Sequence, residues 1–357
     1  MRLEEYLPAT LPGRVVEPGA FRFSAIGLEH DHIFSMCAEL MRAGATLVSV
    51  WDDDPAKRAA FVRAFPQAAQ ARSEQEVLDD ASIQLVASAA VPAARSALGI
   101  RAMRAGKDVL VDKPPMTTLE QVAQVREAVV QTARKYIVLY GERMDSEAGA
   151  FADTLLRAGA IGKLIHMTGL GPHRLAAAQR ADWFFRRETA GGILCDLGSH
   201  QIEHFLHYTG AADASITGSR VANYAHPQYP GWHDFGDATL VAAGGQTLYF
   251  RVDWFTPDGL GTWGDVRALL LGTEGYLELR KTTDIAAHAQ PDTVLLVDRH
   301  GEHRINVHGR VGKPFYGALI RDCLRREETA VTQAHVLRVA ELSIQAETMA
   351  MEVTPCA

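Results

Sequence analysis

The chain has 357 residues, enough for two domains of ordinary size. Hydrophobic residues at 47% and charged residues at 22% are globular proportions and exclude disorder, collagen and coiled coil. The formal net charge of −7 is gathered into no run, which argues against a nucleic-acid partner or a polybasic membrane patch. Cys37, Cys195, Cys323 and Cys356 form no CxxC pair, so neither a disulfide framework nor a zinc knuckle is expected. Residues 1–20 carry acids and prolines without an apolar h-region and read as an N-terminal extension, not a signal peptide. No uncharged apolar window reaches the length of a membrane span, and a soluble, cytoplasmic protein is expected.

From 21 to 141, short apolar runs (FRFSAIG, ATLVSVW, IQLVASA, DVLV, YIVLY) alternate with helical spacing over 32–43, 55–65, 92–105 and 119–133. Asp54-Pro55 is a helix start, and Gly44 and Gly106 stand just past helix ends. This alternation predicts βαβ units and a doubly wound parallel sheet of the Rossmann type. From 142 to 357 the rhythm changes. A helix over 146–157 is followed by a strand at LIHMTGL, an Arg-rich loop and a helix beginning near Asp196. Strands then dominate 214–307, with hairpin signals at Gly244-Gly245 and GTEG, before helices over 314–326 and 333–351. The second domain is therefore expected to be α+β, an open, mainly antiparallel sheet with helices on one face.

Four segments carry candidate chemistry. At the first strand-to-helix turn, SAIGLEHDH keeps one glycine, Gly27, of the G-x-G-x-x-G pattern that lets backbone amides approach a pyrophosphate. Glu29 and His32 replace the other two. The segment reads either as a dinucleotide turn or as an ordinary βα turn with two exposed histidines, His30 and His32. Asp52, in VSVWDDDP at the end of the second strand, is placed to accept both hydroxyls of an adenosine ribose, or is a solvated turn residue. Lys113, at the carboxyl end of VLVDKPP, points into the crevice of an open α/β sheet, or is a surface lysine before a proline break. In GGILCDLGSHQIEHF, Asp196 and His200 are four residues apart, as are His200 and His204, so each pair can share a helix face. The string from His200 to His204 also matches the H-x-x-E-H zinc pattern, and a solvated helix is the third reading. Cys195 and the tryptophans at 183, 232, 254 and 263 read as packing residues.

Together these segments resemble the Gfo/Idh/MocA family of nicotinamide-dependent oxidoreductases, which includes glucose–fructose oxidoreductase and inositol dehydrogenase. The resemblance runs from about Phe21 to Met351. It is carried by AMRAGKDVLVDKP, similar to A-G-K-x-V-x-x-E-K-P, and by GGILCDLGSHQIEHF, similar to G-G-x-x-x-D-x-G-x-H-x-x-D. RAGAIGKLIHM and LLLGTEGYLEL also match family segments. The resemblance implies that Lys113 lies beside the nicotinamide and the reacting hydroxyl, with a cis Lys113-Pro114 bond. It implies Asp196 and His200 as the catalytic pair, with His200 as base and Asp196 orienting its ring. Gly27, Glu29, His30, Asp52, Pro92, Lys113 and Pro114 would face the cofactor. NAD is expected over NADP because Asp52 would accept the ribose hydroxyls and oppose a 2′-phosphate, with Lys57 and Arg58 on the next helix facing solvent. Arg143, His173 and Arg174 are candidate contacts to a sugar or polyol. Glu203 stands where the family has Asp, and Arg95 where it has His. No metal is expected, and a homodimer or homotetramer through the open sheet face is. Two alternatives remain: a cofactor-responsive regulator without turnover, and a glycosidase or zinc-dependent hydrolase using His200 and His204.

Overall fold

The computed structural model describes residues 3–287 and 290–354; Cys356 lies outside them. Six parallel strands, β1 (Arg22–Ile26), β2 (Thr46–Trp51), β3 (Ala69–Gln70), β4 (Leu85–Ser88), β5 (Asp108–Asp112) and β6 (Tyr136–Leu139), form one sheet in the order β3-β2-β1-β4-β5-β6. Every residue of β4, β5 and β6 is buried, as expected where helices cover both faces. The intervening helices are α1 (His32–Arg42), α2 (Pro55–Ala64), α3 (Glu74–Asp79), α4 (Pro92–Arg104) and α5 (Leu119–Thr132). Asp54 caps α2 by accepting the Ala56 amide at 2.7 Å, and Thr118 with Gln121 forms a reciprocal capping box on α5. Strand order reverses between β1 and β4, which opens a crevice at their carboxyl ends.

The second half begins with α6 (Gly141–Met144) and α7 (Glu147–Arg157), then β7 (Leu164–Pro172), α8 (Arg187–Ala190), α9 (Ile193–Asp196) and α10 (Gly198–Thr209). Strands β8 (Ala214–Ala222), β9 (Phe235–Ala242), β10 (Thr247–Asp253), β11 (Arg267–Gly272), β12 (Gly275–Arg280), β13 (Thr293–Asp298) and β14 (Gly301–Asn306) follow. The chain then forms α11 (Pro314–Arg325), α12 (Gln333–Met349) and β15 (Met351–Val353). The nine-stranded sheet runs β14-β13-β12-β11-β7-β10-β9-β8-β15. Only β7/β10 and β8/β15 pair in parallel. Alternation sorts its faces: Leu248, Phe250, Val252, Ala268 and Leu270 are buried, while Leu269, Leu271 and Tyr276 point outward and are exposed. Helix α10 lies on the inner face and is buried along nearly its whole length.

Two expectations shift. The last helix stops at Met349, because Ala350 turns extended and Met351–Val353 joins the sheet beside β8. The helix expected near Asp196 is two pieces, broken at Leu197. Helix α12 is tied to the first sheet by Gln333, whose side chain accepts from the Tyr136 amide at 2.8 Å and donates to the Tyr136 carbonyl at 2.9 Å. This bond pair caps the free edge strand β6. Among the described residues, no helix is long and apolar enough to cross a membrane.

Candidate active site

The turn after β1 is pinned on both sides. Gly27, at φ +78°, donates to the Trp51 carbonyl and accepts from the Ala89 amide, each at 3.0 Å, and a Cβ there would lie 2.7 Å from Ala90 Cβ. No side chain other than hydrogen fits. Asp52 is 6% exposed and accepts the Leu28 amide at 2.6 Å and the Asp54 amide at 2.9 Å, so it binds the turn to the end of β2. The Gly27 cradle, the first turn of α1 with no side-chain cap from Asp31, and the acid at the end of β2 fit a dinucleotide laid across the switch point. Pro92 opens α4 and is buried beside the same crevice.

Two expectations for this loop are corrected. His30 and His32 are not exposed turn residues: their ring centroids are 4.0 Å apart, and His32 Nδ1 lies 3.0 Å from Asp112 Oδ1. Convergence of the β1 and β5 ends brings them there. Lys57 and Arg58 do not face solvent. Lys57 pairs with Glu29, and Arg58 donates to the Asp52 carbonyl while lying 4.8 Å over the Trp51 ring. Glu29 also accepts from the Trp183 indole at 3.2 Å, which joins the loop to the second half of the chain.

Across the crevice, Lys113 follows β5 through a cis Lys113-Pro114 bond. The fully buried Arg95 braces this corner, donating to the carbonyls of Ala90 at 2.6 Å, Asp112 at 3.0 Å and Pro114 at 2.9 Å. Lys113 Nζ donates to Asp196 Oδ1 at 2.6 Å. His200 lines the same cavity, which has a volume of about 590 Å³. Burial, then the nearby Lys113 and His204, hold its pKa well below the usual histidine value. Asp196 makes no hydrogen bond to His200 among the described residues. Its carboxylate is engaged by Lys113 instead. His200 Nδ1 is buried without a partner, which leaves Nε2 as the nitrogen open to a bound hydroxyl.

Two family descriptions match consecutive halves of this architecture: an oxidoreductase family with an NAD-binding Rossmann fold over residues 25–140, and the GFO/IDH/MocA C-terminal domain over 150–278. The chain belongs to the Gfo/Idh/MocA oxidoreductase family. A solved structure from Erwinia carotovora atroseptica is 45% identical, with a TM-score of 0.91 over 94% of this chain and 100% of that one. Among curated relatives, the scyllo-inositol 2-dehydrogenase (NAD(+)) of Bacillus subtilis is 28% identical over 66% of each chain. The scyllo-inositol 2-dehydrogenase (NADP(+)) of the same organism is 26% identical over 52% of each. The matched region thus spans between half and two thirds of these two relatives.

Within this Gfo/Idh/MocA chain the expected substrate contacts separate. His173 lines the cavity, tilted against Trp263 at 4.4 Å, and burial holds it well below the usual histidine pKa. Arg174 reaches the cavity wall, but its guanidinium ties down the 257–260 loop through the carbonyls of Pro257, Asp258 and Leu260. Arg143 is not at the cavity. It is buried against Glu203, donating from Nε at 3.0 and 2.9 Å, because two desolvated charges of opposite sign settle on each other. His204 does not join His200: their rings are 6.5 Å apart, and Lys281 Nζ lies 3.1 Å from His204 Nδ1, where a cation already stands. Residues missed in the sequence are Glu142, Arg180 and Lys281, all lining the cavity. Glu142 was one position from Arg143, and only the turn of α6 decides which faces inward.

Proposed function

We propose that this chain is a dehydrogenase that moves hydride between NAD(P) and a secondary hydroxyl of a sugar, polyol or inositol-like substrate. The observation that carries this reading is the contact of Lys113 with Asp196 in the same cavity as His200, at the carboxyl end of β5 beside the switch point. The names of the two Bacillus subtilis relatives support the substrate class. When bound, the nicotinamide supplies the hydride acceptor or donor. Lys113, held by Asp196, donates a hydrogen bond to the reacting oxygen and offsets its negative charge as the proton leaves. His200, neutral at pH 7, takes that proton at Nε2. Trp254 and Trp263 supply apolar wall to the cavity.

NAD is the expected cofactor. Asp52 would accept ribose hydroxyls and repel a 2′-phosphate, while Arg58 is already engaged by the Asp52 carbonyl and the Trp51 ring. A homo-oligomer through Leu269, Leu271 and Tyr276 is expected, since these side chains form an open apolar patch on the outer sheet face. The deciding experiment is a panel of inositols, sugars and polyols incubated with NAD and followed by absorbance of the reduced nicotinamide. Absence of reduction with every member, in protein that binds NADH, would overturn the assignment.

A further inference from the structure

The cavity floor holds a second acid–base pair that the mechanism does not use. Glu142, from α6, and Lys281, from the end of β12, both line the cavity and are 7% and 4% exposed. Glu142 Oε2 accepts from Gln201 Nε2 at 2.6 Å, whereas Oε1 is buried with no partner. Glu142 and Lys281 share the cavity lining with the proposed base His200. The place of Gln201 is made by two glycines of β7. A Cβ on Gly169 would collide with Gln201 Oε1, and one on Gly171 would lie 3.0 Å from Gln201 Nε2. The Lys281 ammonium touches the imidazole of His204 and has no carboxylate within salt-bridge distance among the described residues.

A buried carboxylate oxygen without a donor, near a buried ammonium without an anion, is costly unless a ligand completes both. Burial pushes the Glu142 carboxyl up and the Lys281 ammonium down, each opposed by the charge of the other. The chemistry of the missing group follows from charge. The cavity lining carries five Lys and Arg side chains against five Asp and Glu, so no net charge selects an anion. A hydroxyl is the neutral group that donates to a carboxylate while accepting from an ammonium.

We propose that Glu142 and Lys281, braced by Gln201 and His204, form a subsite that reads a substrate hydroxyl other than the one oxidised. The subsite rests on the dehydrogenase reading and adds its source of specificity: it selects which carbon of a polyhydroxylated ring is presented to His200. A ring lacking that hydroxyl leaves two buried polar groups unmatched, the circumstance in which discrimination is largest.

The test is calorimetric titration of the full-length, NADH-saturated protein with myo-inositol, D-xylose and levoglucosan, comparing wild type with Glu142→Gln and Lys281→Met. Wild type is expected to bind at least one of the three. Both variants should weaken that polyol about tenfold or more, the scale of a lost hydrogen bond to a charged group. One monodeoxy derivative of the same polyol should bind wild type and variants alike. NADH affinity in the same samples reports an intact fold, and the isosteric Glu142→Gln keeps the test standing if Lys281→Met fails to fold. Variants that bind the polyol as tightly as wild type overturn the subsite and leave the dehydrogenase assignment in place. A wild-type protein that takes up NADH but none of the three polyols overturns both.

Discussion

Lys113 Nζ lies 2.6 Å from Asp196 Oδ1, joining the end of β5 in the parallel sheet to the helix that precedes His200. The contact fixes the ammonium of a flexible four-carbon side chain at one point of the cavity. In the proposed mechanism Asp196 would therefore hold the cation that stabilises the developing alkoxide, in place of orienting the His200 imidazole.

Lys113→Ala and His200→Ala are each expected to lower turnover at least about 100-fold while thermal unfolding stays cooperative. Steady-state kinetics on the best substrate of the polyol panel checks this, and near-wild-type turnover in either variant removes that residue from the mechanism. Asp196→Asn should also reduce kcat, because the ammonium loses its charged anchor.

The pH profile has a defined sign. His200 must be neutral to accept a proton, and burial next to Lys113 holds its pKa well below the ordinary value near ~6.5. Activity in kcat/KM is therefore expected to persist through pH 6.5 and to fall only at more acid pH. An acidic limb centred at or above 6.5 contradicts a buried His200 base.

The Arg143–Glu203 pair supplies a stability prediction. Burial alone would raise the Glu203 carboxyl, but the Arg143 guanidinium, with the His335 ring 3.3 Å away, holds it well below the usual carboxylate range. A carboxyl depressed in the folded state stabilises above its unfolded pKa, near ~4.3, and loses that contribution as pH falls toward the folded value. Glu203→Gln should cost about 3 kcal/mol at pH 7, since it leaves the Arg143 guanidinium buried beside only Asp153. It should also flatten the loss of stability below about pH 4. Urea unfolding at pH 7, pH 4 and pH 3 measures both.

Cofactor choice is read by titrating NADH and NADPH against nicotinamide fluorescence. NADH is expected to bind more tightly, and Asp52→Asn should narrow the difference by removing the charge that opposes a 2′-phosphate. Because Asp52 also holds the Leu28 amide, the same variant should weaken both cofactors. Tighter binding of NADPH by wild type would reverse the role given to Asp52 and make Arg58 a phosphate ligand.

Light scattering at micromolar concentration tests the outer sheet face. Wild type is expected as a dimer or tetramer, and Leu269→Glu with Leu271→Glu should shift it toward monomer, since both side chains are exposed on β11. A wild-type monomer would show that this face is simply solvated.

Much of this protein is legible in its sequence because the deciding physics is local. Alternating apolar runs and helical spacing specify the parallel sheet. Asp54-Pro55 marks a helix start through its own hydrogen bond, and the cramped left-handed turn admits only glycine at position 27. Spacing relates Asp196 only to His200, and it was the resemblance of VLVDKPP and GGILCDLGSHQIEHF to family segments that implied Lys113 beside them. Tertiary structure decided which partner each charged group takes. Asp196 finds Lys113 across 83 residues of chain, Arg143 finds Glu203 across 60, and Trp183 reaches Glu29 across 154. Sequence spacing is silent on such pairs, because a charge withdrawn from water settles on whichever counter-charge folding has withdrawn beside it. For the same reason Glu142, and not its neighbour Arg143, lines the cavity: Arg143 is neutralised inside the protein, and Glu142 Oε1 is left without a partner.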